Sequence, residues 1–236
     1  MRLEDVRALI TGGATGIGRA VAAELVAGGA RVAVCGRRQE SLDAVARELG
    51  VTALRGDVAD EEQACRVVAG ADDALGGVNV LVNNAAVGYF APLLETRYDD
   101  VRRVLETNVV GALVVGRECA RRFVAAGGGT IVNVGSTAAQ KGFPGGSSYA
   151  ASKFALSALT ECWRAELRTH GVRVMQVNPS EVQTEFGRGG RPRTEYDETR
   201  LRAEDVAHVI VSLLTLDARG FVTDTTLWAT NPAPRR

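Results

Sequence analysis

Short apolar, β-branched runs alternate along this chain with stretches of helical spacing, and that alternation leaves very few architectures open. Val6–Ile10, Arg31–Cys35, Val78–Val82, Thr130–Val134 and Val172–Val177 read as buried strands. Val51–Leu54 is a weaker strand, and Phe221–Ala229 reads as a last one. Between them, Ile17, Val21 and Leu25 keep one face of a helix, as do Leu42, Val45 and Leu49. Val101, Leu105 and Val109 mark a long helix, and Leu159, Trp163 and Leu167 another. Gly28-Gly29 and Gly50 stand where helix C-caps are expected. Such βα repetition implies one parallel sheet, doubly wound, with helices on both faces. Ligands of such sheets bind outside the carboxyl ends of the strands, so chemistry is sought just after each strand.

Composition narrows the classes. The 236 residues carry 28 basic and 28 acidic side chains, with no net charge to attract nucleic acid or an anionic membrane. A hydrophobic fraction of 46% is enough for one substantial core. Cys35, Cys65, Cys119 and Cys162 form no CxxC pair, so buried reduced thiols are expected, and no metal site. There is no signal-like start and no long apolar run, which predicts a cytoplasmic protein with no membrane partner. Only Lys141 and Lys153 are lysines. In a chain that otherwise uses arginine, a lysine position marks a need for lysine.

The first strand runs into Thr11-Gly12-Gly13-Ala14-Thr15-Gly16-Ile17-Gly18. Glycines there let the backbone turn and approach a pyrophosphate, and the helix that follows aims free N–H groups at it. The cofactor-binding candidates in this loop are Gly12, Ala14, Thr15, Gly16, Ile17 and Gly18. After the second strand, Cys35-Gly36-Arg37-Arg38 has no carboxylate for two free ribose hydroxyls. Gly36 with the Arg37 and Arg38 guanidiniums suits the 2′-phosphate of NADP instead.

Taken in order, these and later motifs resemble the single-domain short-chain dehydrogenase/reductase family, in particular its NADP-dependent 3-oxoacyl-carrier-protein reductase-like members. Thr11–Gly18 matches the family's TGxxxGxG loop. Asp57-Val58 matches its adenine-contacting pair, and Asn83-Asn84-Ala85-Ala86 is similar to NNAG. Asn108 stands at its asparagine position, Ser136 at its serine, and Tyr149-Ala150-Ala151-Ser152-Lys153 at YxxxK. Asn178-Pro179-Ser180-Glu181-Val182-Gln183-Thr184 is similar to NPGxVxT. The resemblance implies a three-layer Rossmann-type fold in one domain, residues 1–236. It adds Asp57, Val58, Asn84, Ala85, Ala86, Tyr149, Lys153, Pro179, Val182 and Thr184 to the cofactor contacts.

The implied reaction is NADP(H)-dependent interconversion of a ketone or aldehyde with an alcohol, with a small-molecule substrate. Tyr149 is the expected proton donor, and Lys153, one turn away, is expected to lower its pKa from about 10. Ser136 is expected to hold the substrate oxygen and Asn108 a water leading from Lys153. Alternatives are a catalytically silent NADP sensor, or an epimerase or dehydratase on the same scaffold. Family members pair through their long helices. Here these run from Tyr98 to Ala125 and from Tyr149 to His170, offering Val109, Val114, Val115, Phe154 and Trp163 to a homotetramer, or else a dimer. The Gly-, Arg- and Pro-containing stretch 186–199 is expected to form a lid over the substrate.

Overall fold

The computed structural model describes residues 1–186, 197–217 and 219–230. The expected lid falls largely on residues 187–196, outside that range. Seven strands form one sheet in the order β3-β2-β1-β4-β5-β6-β7, and all neighbours run parallel. They are β1 (Arg7–Thr11), β2 (Arg31–Gly36), β3 (Thr52–Arg55), β4 (Val80–Asn83), β5 (Gly129–Val134), β6 (Val172–Pro179) and β7 (Asp224–Leu227). The helices are α1 (Gly16–Ala27), α2 (Gln39–Leu49), α3 (Glu61–Leu75), α4 (Tyr98–Leu105), α5 (Ala112–Ala125), α6 (Ser147–Leu167) and α7 (Ala203–Thr215).

The two-residue period of the strands feeds two cores. Ala8, Ile10, Val32, Val34, Val80, Val82, Met175 and Val177 face α1, α2 and α7. Leu9, Ala33, Cys35, Leu81, Val172 and Val174 face α3 and α5, with Trp163 and Leu167 of α6 packed against that cluster. The result is a three-layer Rossmann-type sandwich with both sheet faces covered. Strand order reverses between β1 and β4, so a crevice opens above the carboxyl ends of those two strands.

Two helical features differ from expectation. The long helix is interrupted by a π-turn over Glu106–Gly111, which buries Asn108 at its centre. Val114 and Val115 are spent inside their own subunit's core, and Trp163 lies over Gly116, where an added Cβ would come within 2.9 Å of its ring. Neither valine is available to another subunit. Val110 and Phe154 are exposed instead, at 50% and 46%. Among the cysteines, Cys35 and Cys119 are buried, and burial pushes both thiols up, Cys35 to about 12. Cys162 is exposed, against expectation.

Candidate active site

The loop after β1 is built for close approach. Gly12 has φ +63°, and a Cβ there would lie 3.0 Å from Ala85 Cα. A Cβ on Gly18 would fall 2.5 Å from the Gly12 carbonyl oxygen. Only glycine fits these two places. The loop is tied to the segment after β4: Thr11 Oγ1 accepts from the backbone N–H groups of Asn84 and Ala85, each at 3.0 Å. Asn84 Nδ2 returns bonds to the carbonyls of Thr11 (2.9 Å) and Gly12 (3.1 Å).

The N-terminus of α1 opens beside a groove of about 630 Å³ that Ala14, Thr15, Gly16 and Thr184 help to line. Thr15, the N-cap, makes no side-chain capping bond, so the first-turn N–H groups keep their capacity for an anion. A Cβ-free Gly16 faces Thr184 across the groove. A Cβ on Gly36 would meet only Leu42 Cδ2, at 3.8 Å. Arg37 lies 3.6 Å from Asp57, and Arg38 lies 3.8 Å from Glu185, both arginines more than half exposed. Val58 is buried in the second core against Gly111. Pro179 ends β6, and Val182 bridges Leu201. Ser180 has no positive φ, so the serine in place of the family glycine carries no backbone strain. An uncapped helix start, a cradle that Cβ atoms would fill and two cations at the end of β2 fit a dinucleotide phosphate chain.

Deeper in the crevice stand the four candidate catalytic residues. Ser136 is the N-cap of a short 3₁₀ turn, Thr137–Ala139, and its Oγ accepts from the Ala138 N–H at 3.1 Å. Tyr149 and Lys153 share one face of α6. Lys153 is buried, its Nζ donates to the Val134 carbonyl at 2.8 Å, and it lies 5.7 Å from the Tyr149 ring centroid. Burial pulls the amine down from 10.5 to about 8. The Tyr149 phenol is pushed up by burial, opposed by a hydrogen bond with Ser136. The phenol therefore lies above its ordinary value, where a lowering by lysine was expected: burial outweighs the opposing effect of Ser136.

Asn108 is held by direct bonds. Its Oδ1 accepts from the Val87 N–H at 2.8 Å, and its Nδ2 donates to the Val87 carbonyl (2.9 Å) and Ser152 Oγ (3.0 Å). The side chain fastens the segment after β4 to α6.

A polar chain unmarked in the sequence joins the two halves of the site. The Ser136 N–H donates to Asn178 Oδ1 at 3.2 Å. Gln176 Nε2 donates to that same oxygen (2.8 Å) and to Ser157 Oγ (2.7 Å), and Ser157 Oγ donates to the Lys153 carbonyl at 3.2 Å. Gly135 passes so close that a Cβ would meet Asn178 Oδ1 at 2.1 Å.

Comparison with known proteins agrees with this arrangement. The family model for short chain dehydrogenases matches residues 7–194. The chain belongs to the short-chain dehydrogenase family. A relative in that family is an L-xylulose reductase of Bos taurus, 40% identical over 189 residues, 79% of this chain and 76% of the relative. Among solved dehydrogenase structures, an alcohol dehydrogenase from the archaeon Thermococcus sibiricus, complexed with 5-hydroxy-NADP, superposes with a TM-score of 0.88 at 27% identity. The match covers 97% of this chain and 98% of that one. A 3-ketoacyl-(acyl-carrier-protein) reductase from Brucella melitensis, complexed with NADH, gives 0.86 at 27% identity, covering 95% and 96%. This dehydrogenase is therefore an oxidoreductase of the carbonyl–alcohol class that uses a nicotinamide cofactor. No helix among the described residues is long and apolar enough to cross a membrane.

Proposed function

We propose that this dehydrogenase reduces a ketone or aldehyde to an alcohol with NADPH, Tyr149 donating the proton. The observation that carries the reading is the buried Lys153 amine, pulled down to about 8 and set 5.7 Å from the Tyr149 ring, with Ser136 opposing the effect of burial on the same phenol. When bound, the reduced nicotinamide supplies a hydride to the carbonyl carbon. The carbonyl π electrons then move to oxygen, which takes the Tyr149 proton. Ser136 Oγ holds that oxygen beside the phenol. Lys153, as an ammonium below about pH 8, stabilises the phenolate as it forms, and its amine titrates close enough to neutrality to return the proton.

NADP is favoured over NAD by Arg37 and Arg38, which stand at the end of β2 where an NAD site would place a carboxylate. A neighbour of the same fold holds an NADP derivative and another holds NADH, so the preference rests on this chain's arginines. The ketose reductase and alcohol dehydrogenase relatives support the carbonyl–alcohol couple. We also place the protein in the cytoplasm as a homo-oligomer, paired through the α5–α6 side that exposes Val110 and Phe154.

The test is Tyr149→Phe, which removes one oxygen and keeps the ring. NADPH binding, followed by fluorescence, is expected to survive while turnover falls by about 10² to 10⁴. Near-normal turnover in the folded variant with a verified substrate overturns the assignment.

A further inference from the structure

Three phenylalanines from three different loops cluster by the Tyr149 ring, two of them against it and Phe143 against Phe90. Phe90 follows β4, Phe143 precedes α6 and Phe186 follows β6. Ring centroids lie 5.5 Å apart for Phe90–Tyr149, 5.4 Å for Tyr149–Phe186 and 6.1 Å for Phe90–Phe143, all tilted. The rings are seated by glycines. A Cβ on Gly88 would come within 2.9 Å of Phe90 and 3.0 Å of Phe186, and one on Gly146 within 2.5 Å of Phe143. The three side chains remain between 41% and 48% exposed, so their faces are offered to something beyond the protein's own core. Beside them lies a hollow of about 610 Å³ lined by Phe90, Pro92, Leu93, Phe143 and Pro144 among others, with the Ser147 hydroxyl its one polar side chain among the described residues.

Among the described residues, several polar groups around this cleft are engaged within the protein. Ser148 Oγ donates to the Tyr89 carbonyl (2.9 Å), Tyr89 Oη to the Glu95 carbonyl (3.3 Å) and Thr96 Oγ1 to the Pro92 carbonyl (3.0 Å). Gln140 Nε2 donates to Thr226 at 2.9 Å. A polyhydroxylated ketone entering here finds few side-chain partners among the described residues, and each hydroxyl left buried and unpaired costs about 1–3 kcal/mol. A flat apolar group instead gains tilted ring contacts and buries the exposed phenylalanine faces.

We propose that the substrate's carbonyl bears an apolar ring, aryl or cycloalkyl, directly beside it, seated between Phe90, Phe143 and Phe186. The inference rests on the carbonyl reductase reading of Tyr149. A carbonyl at that hydroxyl has Phe90 and Phe186 on its flanks and Phe143 one ring further out, so the apolar group adjoins the reacting carbon.

NADPH oxidation with acetophenone, erythrulose and diacetyl tests this directly. A kcat/KM for acetophenone at least 100-fold above that for erythrulose is expected. Phe143→Ala and Phe90→Ala are each expected to cut the acetophenone-to-diacetyl ratio of kcat/KM about tenfold, through KM. Phe143→Leu, which restores apolar volume without the ring, recovers part of that loss. Near-UV circular dichroism and NADPH binding confirm the fold of each variant. Erythrulose turned over as well as acetophenone, or ratios unchanged in both alanine variants, overturns the proposal. If none of the three ketones oxidises NADPH, the reductase reading fails for them, and calorimetry of acetophenone with the NADP⁺-loaded protein decides the ring site separately. Binding weakened about tenfold by Phe143→Ala upholds it, and absence of binding overturns it.

Discussion

Lys153→Met isolates what the buried amine costs the fold. The lysine is 3% exposed, and its pKa falls from 10.5 to about 8 through burial. Between those two pH values the unfolded chain holds a proton that the folded chain has released. Stability therefore rises as pH climbs through this window and is flat below about 8. Below the window, keeping the ammonium in the folded state costs roughly 3 kcal/mol, at about 1.4 kcal/mol per pH unit of displacement. Methionine keeps the unbranched chain and removes the charge, but it forfeits the bond to the Val134 carbonyl, worth roughly 1.5–3 kcal/mol for a charged donor. The net expectation near pH 7 is a gain of about 1 kcal/mol, or some 2–4 °C in Tm at this size. Near pH 10 the wild-type chain has recovered its penalty while the variant has not changed, so the order reverses. Thermal denaturation of both proteins without cofactor, at about pH 7, 8.5 and 10, reads the difference directly. A gap between variant and wild type that stays constant with pH refutes the reasoning, because lysine burial then exerts no cost.

Four further outcomes are expected. Arg37→Ala, at the end of β2, is expected to weaken NADPH binding about tenfold or more and NADH binding little, as charge-assisted phosphate contacts require; equal losses, by fluorescence titration, argue against a 2′-phosphate site. Gln176→Leu breaks the chain between Ser136 and Ser157 and is expected to lower kcat several-fold with NADPH affinity kept. Gln176→Glu is expected to bring on the alkaline loss of activity at a lower pH than in wild type, since only its protonated acid can donate to Asn178; a pH profile that matches wild type removes the positioning role. Val110→Arg with Phe154→Arg is expected to shift the protein to monomer by light scattering, and an unchanged mass places the interface elsewhere.

Much of this molecule was legible in its residues, for identifiable reasons. Strands such as Val32-Ala33-Val34-Cys35 are buried on both faces and therefore read as unbroken apolar runs, and their ends shift by a residue or two at most. Gly12 and Gly18 were legible because tight packing and positive φ admit little else. The π-turn at Glu106–Gly111 was not, since Val101, Leu105 and Val109 satisfy helical spacing with or without an extra residue in one turn. Val114 and Val115 were assigned to a subunit interface for a related reason. Periodicity tells which face of a helix is apolar, not whether its own sheet or another chain covers it. The rise in the Tyr149 pKa and the tie from Asn108 to Val87 depend on burial and on contacts across 21 residues or more, which no local pattern encodes. Gln176 is one polar residue in a buried strand, and its partners Asn178 and Ser157 come from the strand end and from α6.

The chain from Ser136 through Asn178, Gln176 and Ser157 to the Lys153 carbonyl sets the candidate reacting groups against one another using atoms of β6, α6 and the turn just past β5. Phe90, Phe143 and Phe186 contribute nothing to it. They hang from loops: Phe90 and Phe186 touch the Tyr149 ring, and Phe143 touches Phe90. Chemistry and taste are thus mechanically separate in this molecule. Three surface positions can be rewritten, in a laboratory or by descent, to admit a differently shaped ketone while the geometry that moves the proton stays where the sheet put it.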